Sequence, residues 1–170
     1  MGCRSDSNYA ADPETRRSVT GTRVSLCGVP VMWRSVTQKF VTLSVTEAKS
    51  AAGVTCVQDM LYVKVVLESM GLQVELPMIL EMDNQGAIDL ANSWSAGGRT
   101  RHTGVRQNFL RELKEAGIVA FKWVSGDDND VDMHTKNLAG PALEKHGRVY
   151  FGEDKYYPKN GAQAGGCHES

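Results

Sequence analysis

The stretch PMILEMDNQGAIDLAN, Pro77–Asn92, decides how the chain is read. Met78–Met82 is an apolar run of strand length that ends on Asp83, and a small helix is predicted at once from about Asn84 to Ala91. A strand that ends on a carboxylate and turns directly into a helix is a βα unit with an acid at its carboxyl edge. Ligand sites in α/β sheets gather at that edge, because strand ends and helix N-termini converge there. Asp83 has a second reading as a plain N-cap, a position Asp favours. The rest of the chain has to decide between cap and ligand.

The surroundings are those of an ordinary folded domain. A length of 170 residues suits one domain. The net charge of −1 supplies no global field toward nucleic acid or membrane, so any such partner must meet a local patch. The apolar runs read as too short to span a membrane, and MGCRSDSNYA has no signal-peptide core. Gly2 matches the myristoylation pattern only loosely. Cys3, Cys27, Cys56 and Cys167 are scattered without a CxxC pair, which points to neither a zinc site nor a disulfide framework. The expectation is a reduced, intracellular protein, cytoplasmic or nuclear.

Outward from the central unit, Met1–Ala10 enters a strand abruptly, with Asp6 close to the start, and reads as lacking that strand's beginning. Val19–Cys27 alternates loosely and is predicted as a strand, with Val24 and Leu26 on one face and Arg23 and Ser25 on the other. Gly28-Val29-Pro30 makes a hairpin connection to a returning strand, Val31–Ser35, which should be antiparallel. The longest helix runs from about Thr46 to Met70 with the stripe Ala48, Ala52, Cys56, Met60, Val63, Leu67, Met70, and Gly71 ends it. Its start, SVTE, fits a capping box in which Glu47 reaches back to a backbone amide. A second amphipathic helix is expected over about Gly104–Ala116, burying Val105, Phe109, Leu113 and Ala116. Ile118–Val124 is the last strand, and a final helix over about Val131–Leu138 holds Asp132. Beyond Gly140 periodicity fades, so residues 141–170 read as an extension whose end is disordered. The order implies an α/β fold with a mixed sheet: three antiparallel strands, then alternating helices and strands.

Five segments, in order, resemble the ribonuclease H domain at the end of copia-type LTR retrotransposon polyproteins. RSDSNYAADPETRRSVTG is similar to that family's YSDADWAGDPDDRRSTSG, and VMWRSVTQKFVTLSVTEAKSAA to its WRSKKQ…LSSTEAEY. LEMDNQGAIDLA resembles CDNQSAI, RTRHTGVRQNFLRE resembles RTKHIDIRYHFIRE, and DNDVDMHTKNL resembles QLADIFTKPL. The resemblance covers about residues 4–140 and implies a ribonuclease H-like domain over 1–140, preceded elsewhere by a reverse transcriptase.

Carried over residue by residue, the resemblance puts the catalytic and metal-binding carboxylates at Asp6, Glu47, Asp83 and Asp132. It also implies that the first and fourth strands are neighbours, so that Asp6 and Asp83 meet while Glu47 and Asp132 close over them. Two carboxylates ~4 Å apart repel by about 4 kcal/mol at an effective dielectric of ~20, so such a cluster calls for a cation. Hard oxygen ligands suit two Mg²⁺ ions, with Mn²⁺ as substitute, and in-line hydrolysis of the RNA strand of an RNA–DNA hybrid. Asn84 and Gln85, beside Asp83, are candidates for 2′-hydroxyl contact or for helix-end hydrogen bonding. Arg99, Arg101, His102 and Arg106 form the densest basic stretch, either a phosphate-contact strip or a solvated face.

Other features point elsewhere. Asp128, Asp130 and Asp132 imitate an EF-hand loop, but Met133 stands at its sixth position and Ala139 at its twelfth. His134 is two positions from Asp132 and is not read as catalytic. Asn8 and Gly104 replace acids of the family pattern without touching the four carboxylates, although Gly104 weakens its helix by roughly 0.5–1 kcal/mol relative to Ala. Two functions stay open: an active, metal-dependent ribonuclease H, working with a reverse transcriptase domain in cis or in trans, and an inactive remnant that keeps the fold or nucleic-acid binding.

Overall fold

The computed structural model describes residues 1–92 and 101–151; within the second range the side chains of 101–103 are not described. Five strands form one sheet: β1 (Gly2–Asn8), β2 (Val19–Leu26), β3 (Val29–Thr37), β4 (Met78–Met82) and β5 (Val119–Trp123). Their order across the sheet is β3-β2-β1-β4-β5. β1 pairs antiparallel with β2 and parallel with β4, and β4 is parallel to β5. The helices are α1 (Val45–Ser69), α2 (Gln85–Asn92), α3 (Arg101–Glu115) and α4 (Gly140–Phe151), with short 3₁₀ turns at Gly126–Asp128 and Asp130–His134. This is the expected mixed sheet, with three antiparallel strands followed by alternating helices and strands.

The first hairpin turns at Cys27-Gly28, where both residues have positive φ (48° and 86°) and Leu26 pairs with Val29. That is the two-residue turn whose twist suits antiparallel strands. Pro30, predicted in the connection, lies inside β3, an edge strand where a missing amide is tolerated.

α1 crosses one face of the sheet. Ala48, Ala52, Cys56 and Met60 of the expected stripe are buried, joined by Ala51, Gly53 and Val57. A Cβ at Gly53 would stand 2.9 Å from Met82 Sδ, so the missing side chain is what lets the helix approach β4. The stripe fades toward the C-terminus, where Met70 is 68% exposed. Gly71 (φ 81°) closes the helix, its amide donating to Glu68 O while Leu72 donates to Leu67 O, a Schellman motif. α1 is long and apolar enough, by length and composition, to cross a membrane, which corrects the sequence expectation that no run is. Here its N-terminal half is core.

The opposite face carries charge. Arg4 on β1 and Arg23 on β2 both meet Asp130, at 2.7 Å (Nη1–Oδ1) and 2.6 Å (Nε–Oδ2), and Arg4 Nε donates to Glu81 at 2.6 Å. β2 is therefore covered on both sides, with Val24 buried on one face and Arg23 on the other. The segment around Asp132 is a 3₁₀ turn, Asp130–His134, in place of the predicted helix over 131–138. α4 packs on this turn and on β3, with Tyr150 OH within 2.8 Å of His134 Nε2 and donating to Asp130 at 3.1 Å. A helix thus stands where periodicity showed none. In α3, among the described side chains, the predicted Phe109 and Leu113 pack partly buried against the core and Leu110 is fully buried, whereas Val105 is 65% exposed and Ala116 is also exposed, so the buried stripe turns from the predicted one toward Leu110. The predicted disordered end, beyond Phe151, lies outside the described residues.

Candidate active site

Parallel pairing of β1 with β4 aligns Ser5 with Met82, which brings Asp6 beside Asp83 at the carboxyl end of the two strands. Asp83 is not the cap of α2. Asn84 takes that role, its Oδ1 accepting from the Ala87 amide at 2.7 Å. Trp123 Nε1 donates to the Asp83 carbonyl at 3.2 Å and ties β5 to the same point. The Asp83 carboxylate is thereby left to the sheet edge.

Asp6 is held from several sides. Thr135 Oγ1 donates to its Oδ2 at 2.6 Å, and Lys49 Nζ to its Oδ1 at 2.8 Å. Burial raises its pKa, but the Lys49 ammonium and the Thr135 hydroxyl outweigh burial and bring it down to about 2. Asp132 arrives from the 3₁₀ turn. Burial pushes its carboxyl up, Lys136 at 2.8 Å pulls it down, and the negative charge of Asp6 raises it again, to about 6. Asp83 and Asp132 thus each come up to Asp6, the first through Lys49 and the second through Lys136.

Glu47 behaves differently. Its amide donates to Ser44 Oγ at 3.1 Å and its Oε2 accepts from the Leu43 amide at 2.8 Å, a capping box whose return bond goes to the residue before the Ser44 N-cap. Of its two sequence readings, the structural one is realised here. In its neighbourhood stands a residue the sequence did not flag. Lys49, two positions along α1, places its ammonium between Asp6 and Asp83, 2.5 Å from Asp83 Oδ2. Its side chain is only 14% exposed. The signal was present in the sequence, since the family motif LSSTEAEY carries a glutamate where Lys49 stands.

Two cations thus flank Asp6, because Lys136 Nζ also lies 3.9 Å from Asp6 Oδ2. Asp83 Oδ1 and Asp132 Oδ1 are buried with no hydrogen-bond partner among the described residues. Unsatisfied buried carboxylate oxygens call for a donor or an ion. Yet among the described residues no three acidic, histidine or cysteine side chains are gathered closely enough to hold one metal ion. These oxygens have the right chemistry for a hard cation, while the Lys49 ammonium occupies the other Asp83 oxygen and Asp6 Oδ1.

The remaining candidates divide. Gln85 Nε2 donates to Asp89 at 2.8 Å, a contact within α2. Arg106 stacks its guanidinium 3.8 Å above the Phe40 ring. Both line a groove of about 620 Å³ between β3, α1 and α3, with Arg34, Lys39, Gln38 and Gln58. Phe40 was not singled out in the sequence. Arg99 lies outside the described residues, as do the side chains of Arg101 and His102. His134, set aside as non-catalytic, is engaged with Tyr150, and burial lowers its pKa.

The comparisons follow this geometry. No family model matches the chain. It is 33% identical over 131 residues to the retrovirus-related Pol polyprotein from transposon TNT 1-94 of Nicotiana tabacum, covering 77% of this chain and 10% of that protein. It is 28% identical over 144 residues to the Pol polyprotein from transposon RE2 of Arabidopsis thaliana, covering 85% of this chain and 10% of that one. The chain thus spans about a tenth of the length of the relatives it matches. Among solved structures it resembles LC11-RNase H1 in complex with RNA/DNA hybrid, with a TM-score of 0.58 at 11% identity over 85% of this chain and 96% of that one. RNase H1 from Halobacterium salinarum gives 0.52 at 16%, covering 85% and 97%. At such identities these structures speak to the fold, and the sequence relatives speak to the lineage. Together they place the chain among the ribonuclease H domains of copia-type retrotransposon polyproteins.

Proposed function

We propose that this chain is a nuclease that hydrolyses the RNA strand of RNA–DNA hybrids with the help of divalent metal. The observation that carries this reading is the meeting of Asp6 and Asp83 on adjacent ends of parallel strands, with Asp132 brought against Asp6 by the 3₁₀ turn. Mg²⁺ is commonly held through one or two carboxylates, with water and substrate phosphate completing its shell, so this sparse donor set suits it, and Mn²⁺ equally. Asp6, Asp83 and Asp132 are the residues that would hold two such ions, and the resemblance adds Glu47, whose Oε2 accepts from the Leu43 amide. Bound there, the ions supply an activated water and charge stabilisation at the leaving 3′ oxygen.

The protein's own part is positioning. Thr135 fixes the rotamer of Asp6, and Trp123 fixes the backbone of Asp83. Without metal, burial and the Asp6 charge raise the Asp132 carboxyl to about 6, so an incoming cation would relieve it. Asn84 spends its side-chain oxygen on capping and keeps its amide NH₂ as a donor for a 2′-hydroxyl. Gln85 is the weaker candidate for that contact, being tied to Asp89. Arg106 on Phe40, with Lys39, offers a charged and aromatic groove for the backbone of a strand, and Arg99, Arg101 and His102 extend it in sequence. Because the relatives are Pol polyproteins, the reading includes cooperation with a reverse transcriptase domain, in cis or in trans.

One observation favours the second reading, an inactive remnant that keeps the fold or binds nucleic acid. Lys49 fills the space between Asp6 and Asp83. The deciding experiment is cleavage of a labelled RNA–DNA hybrid in Mg²⁺ or Mn²⁺ by the chain and by its Asp83→Asn form. Cleavage that disappears in the variant supports the nuclease. A folded wild-type chain that cleaves in neither metal leaves the remnant.

A further inference from the structure

The exposed apolar end of α1 (Tyr62, Val65, Met70) has nothing on it to say what covers it. The charged network around Asp130 is fully accounted for by Arg4, Arg23 and Tyr150. Lys49 is the one that changes what the site can do.

We propose that Lys49 is a resident cation that holds the Asp6–Asp83 pair together without metal and competes with metal for it. The inference rests on the reading of Asp6 and Asp83 as metal ligands. Its ammonium contacts Asp6 Oδ1 at 2.8 Å and Asp83 Oδ2 at 2.5 Å, the two inward oxygens of neighbouring strand ends. Asp6 and Asp83 are the carboxylates that would hold a hard cation such as Mg²⁺, which takes oxygen ligands at shorter range than an ammonium does. An ion between these oxygens therefore requires the ammonium to leave.

Charge points the same way. Asp6, Asp83 and Asp132 are met by Lys49 and Lys136, so two positive groups already stand among three carboxyls. A divalent ion entering this group meets ammonium repulsion at close range in a mostly buried setting, where screening is weak. Lys49 is also well anchored, because its neighbours Ala48 and Ser50 are buried at 0% and 4% exposure and fix the helix from which it reaches. The glutamate of the family motif at this position would have added a negative charge. The change is two charge units at the mouth of the site. Metal binding here is therefore an exchange, in which the Lys49 side chain swings to solvent as the ion enters.

The test titrates Mn²⁺ into the metal-free full chain and its Lys49→Gln and Lys49→Ala forms, reading binding by calorimetry and by the Mn²⁺ spin-resonance signal. Both variants are expected to bind at least about tenfold more tightly than wild type, an increase that Asp83→Asn in the Lys49→Gln background abolishes. Without metal, both variants should melt lower than wild type and recover on adding Mn²⁺. A measurement on unmodified protein runs alongside: acylation of Lys49 by an amine-reactive reagent, followed by mass spectrometry, should rise several-fold at saturating Mn²⁺. Equal affinity in wild type and both variants, or Lys49 labelling unchanged by bound Mn²⁺, overturns the proposal. Tight metal binding by Lys49→Gln, with a folded wild-type chain that cleaves hybrid in neither metal, upholds this inference and removes the nuclease reading instead.

Discussion

Thr135 Oγ1 donates a 2.6 Å hydrogen bond to Asp6 Oδ2, across 129 residues of sequence, and so fixes the carboxylate on which the site is centred. Thr135 is buried at 7% exposure, and its methyl packs where a Cβ on Gly21 would stand, 2.8 Å away. The turn, β1 and β2 therefore meet at one point. Thr135→Val keeps the shape and removes the donor to a charged group, so a loss of about 1.5–3 kcal/mol in unfolding free energy is expected. Urea denaturation of metal-free protein measures it, and a loss under about 0.5 kcal/mol would show that the hydroxyl does not hold Asp6.

Asp130 is the corresponding centre on the charged face. At 1% exposure it meets both Arg4 and Arg23 and accepts from Tyr150. Burial raises the Tyr150 hydroxyl well above its ordinary range, and the Asp130 charge adds to that, so the phenol remains a donor at any working pH. Asp130→Asn removes the charge that two buried guanidiniums face, for an expected loss of about 3–5 kcal/mol. A thermal melt checks this, and a wild-type-like midpoint would refute the assignment of Asp130 as the organising charge.

These two centres also mark where the sequence was readable. Strand and helix order followed from periodicity, and the capping box at Ser44 was legible because its residues are local. The adjacency of Asp6 and Asp83 was not in the periodicity at all; it came with the family resemblance, since parallel neighbours need a long crossover. Lys49 was missed because a lysine two positions from a capping glutamate looks like a solvated side chain. Only the fold shows that it points at two strand ends. α4 escaped notice because its buried residues are His146 and Gly147 rather than apolar side chains, although Pro141 in its first turn is a common helix start and Leu143, His146, Gly147 and Tyr150 keep helical spacing. In α3, apolar residues lie on overlapping stripes, and packing against α1 selected the one through Leu110.

Glu47 separates cap from ligand by experiment. Its Oε2 accepts from the Leu43 amide, an exchange glutamine can reproduce and alanine cannot. Glu47→Ala should cost about 0.5–2 kcal/mol in metal-free protein, while Glu47→Gln should cost little. If Glu47→Gln leaves Mn²⁺ affinity unchanged in the Lys49→Gln background, the glutamate is a cap alone. A marked drop would return it to the ligand set.

The pair Asp6 and Asp132 predicts an unusual dependence of metal-free stability on pH. Asp132, raised from 3.8 to about 6 first by burial and then by the Asp6 charge, binds its proton more tightly folded than unfolded. Between those values the native state holds more protons than the unfolded chain, so stability falls as pH rises from about 4 to 6. Asp6 has the opposite sign. Lowered to about 2 by Lys49 and Thr135 against the pull of burial, it contributes stability above 3.8 that is lost as pH falls toward 2. The two together place a local maximum near pH 4, set against whatever other carboxylates contribute. Asp132→Asn carries no titrating proton, so it should lose the decline between pH 4 and 6 and gain on wild type at pH 7. Denaturant unfolding in chelator across that range is the measurement, and parallel profiles for the two proteins would exclude a raised Asp132.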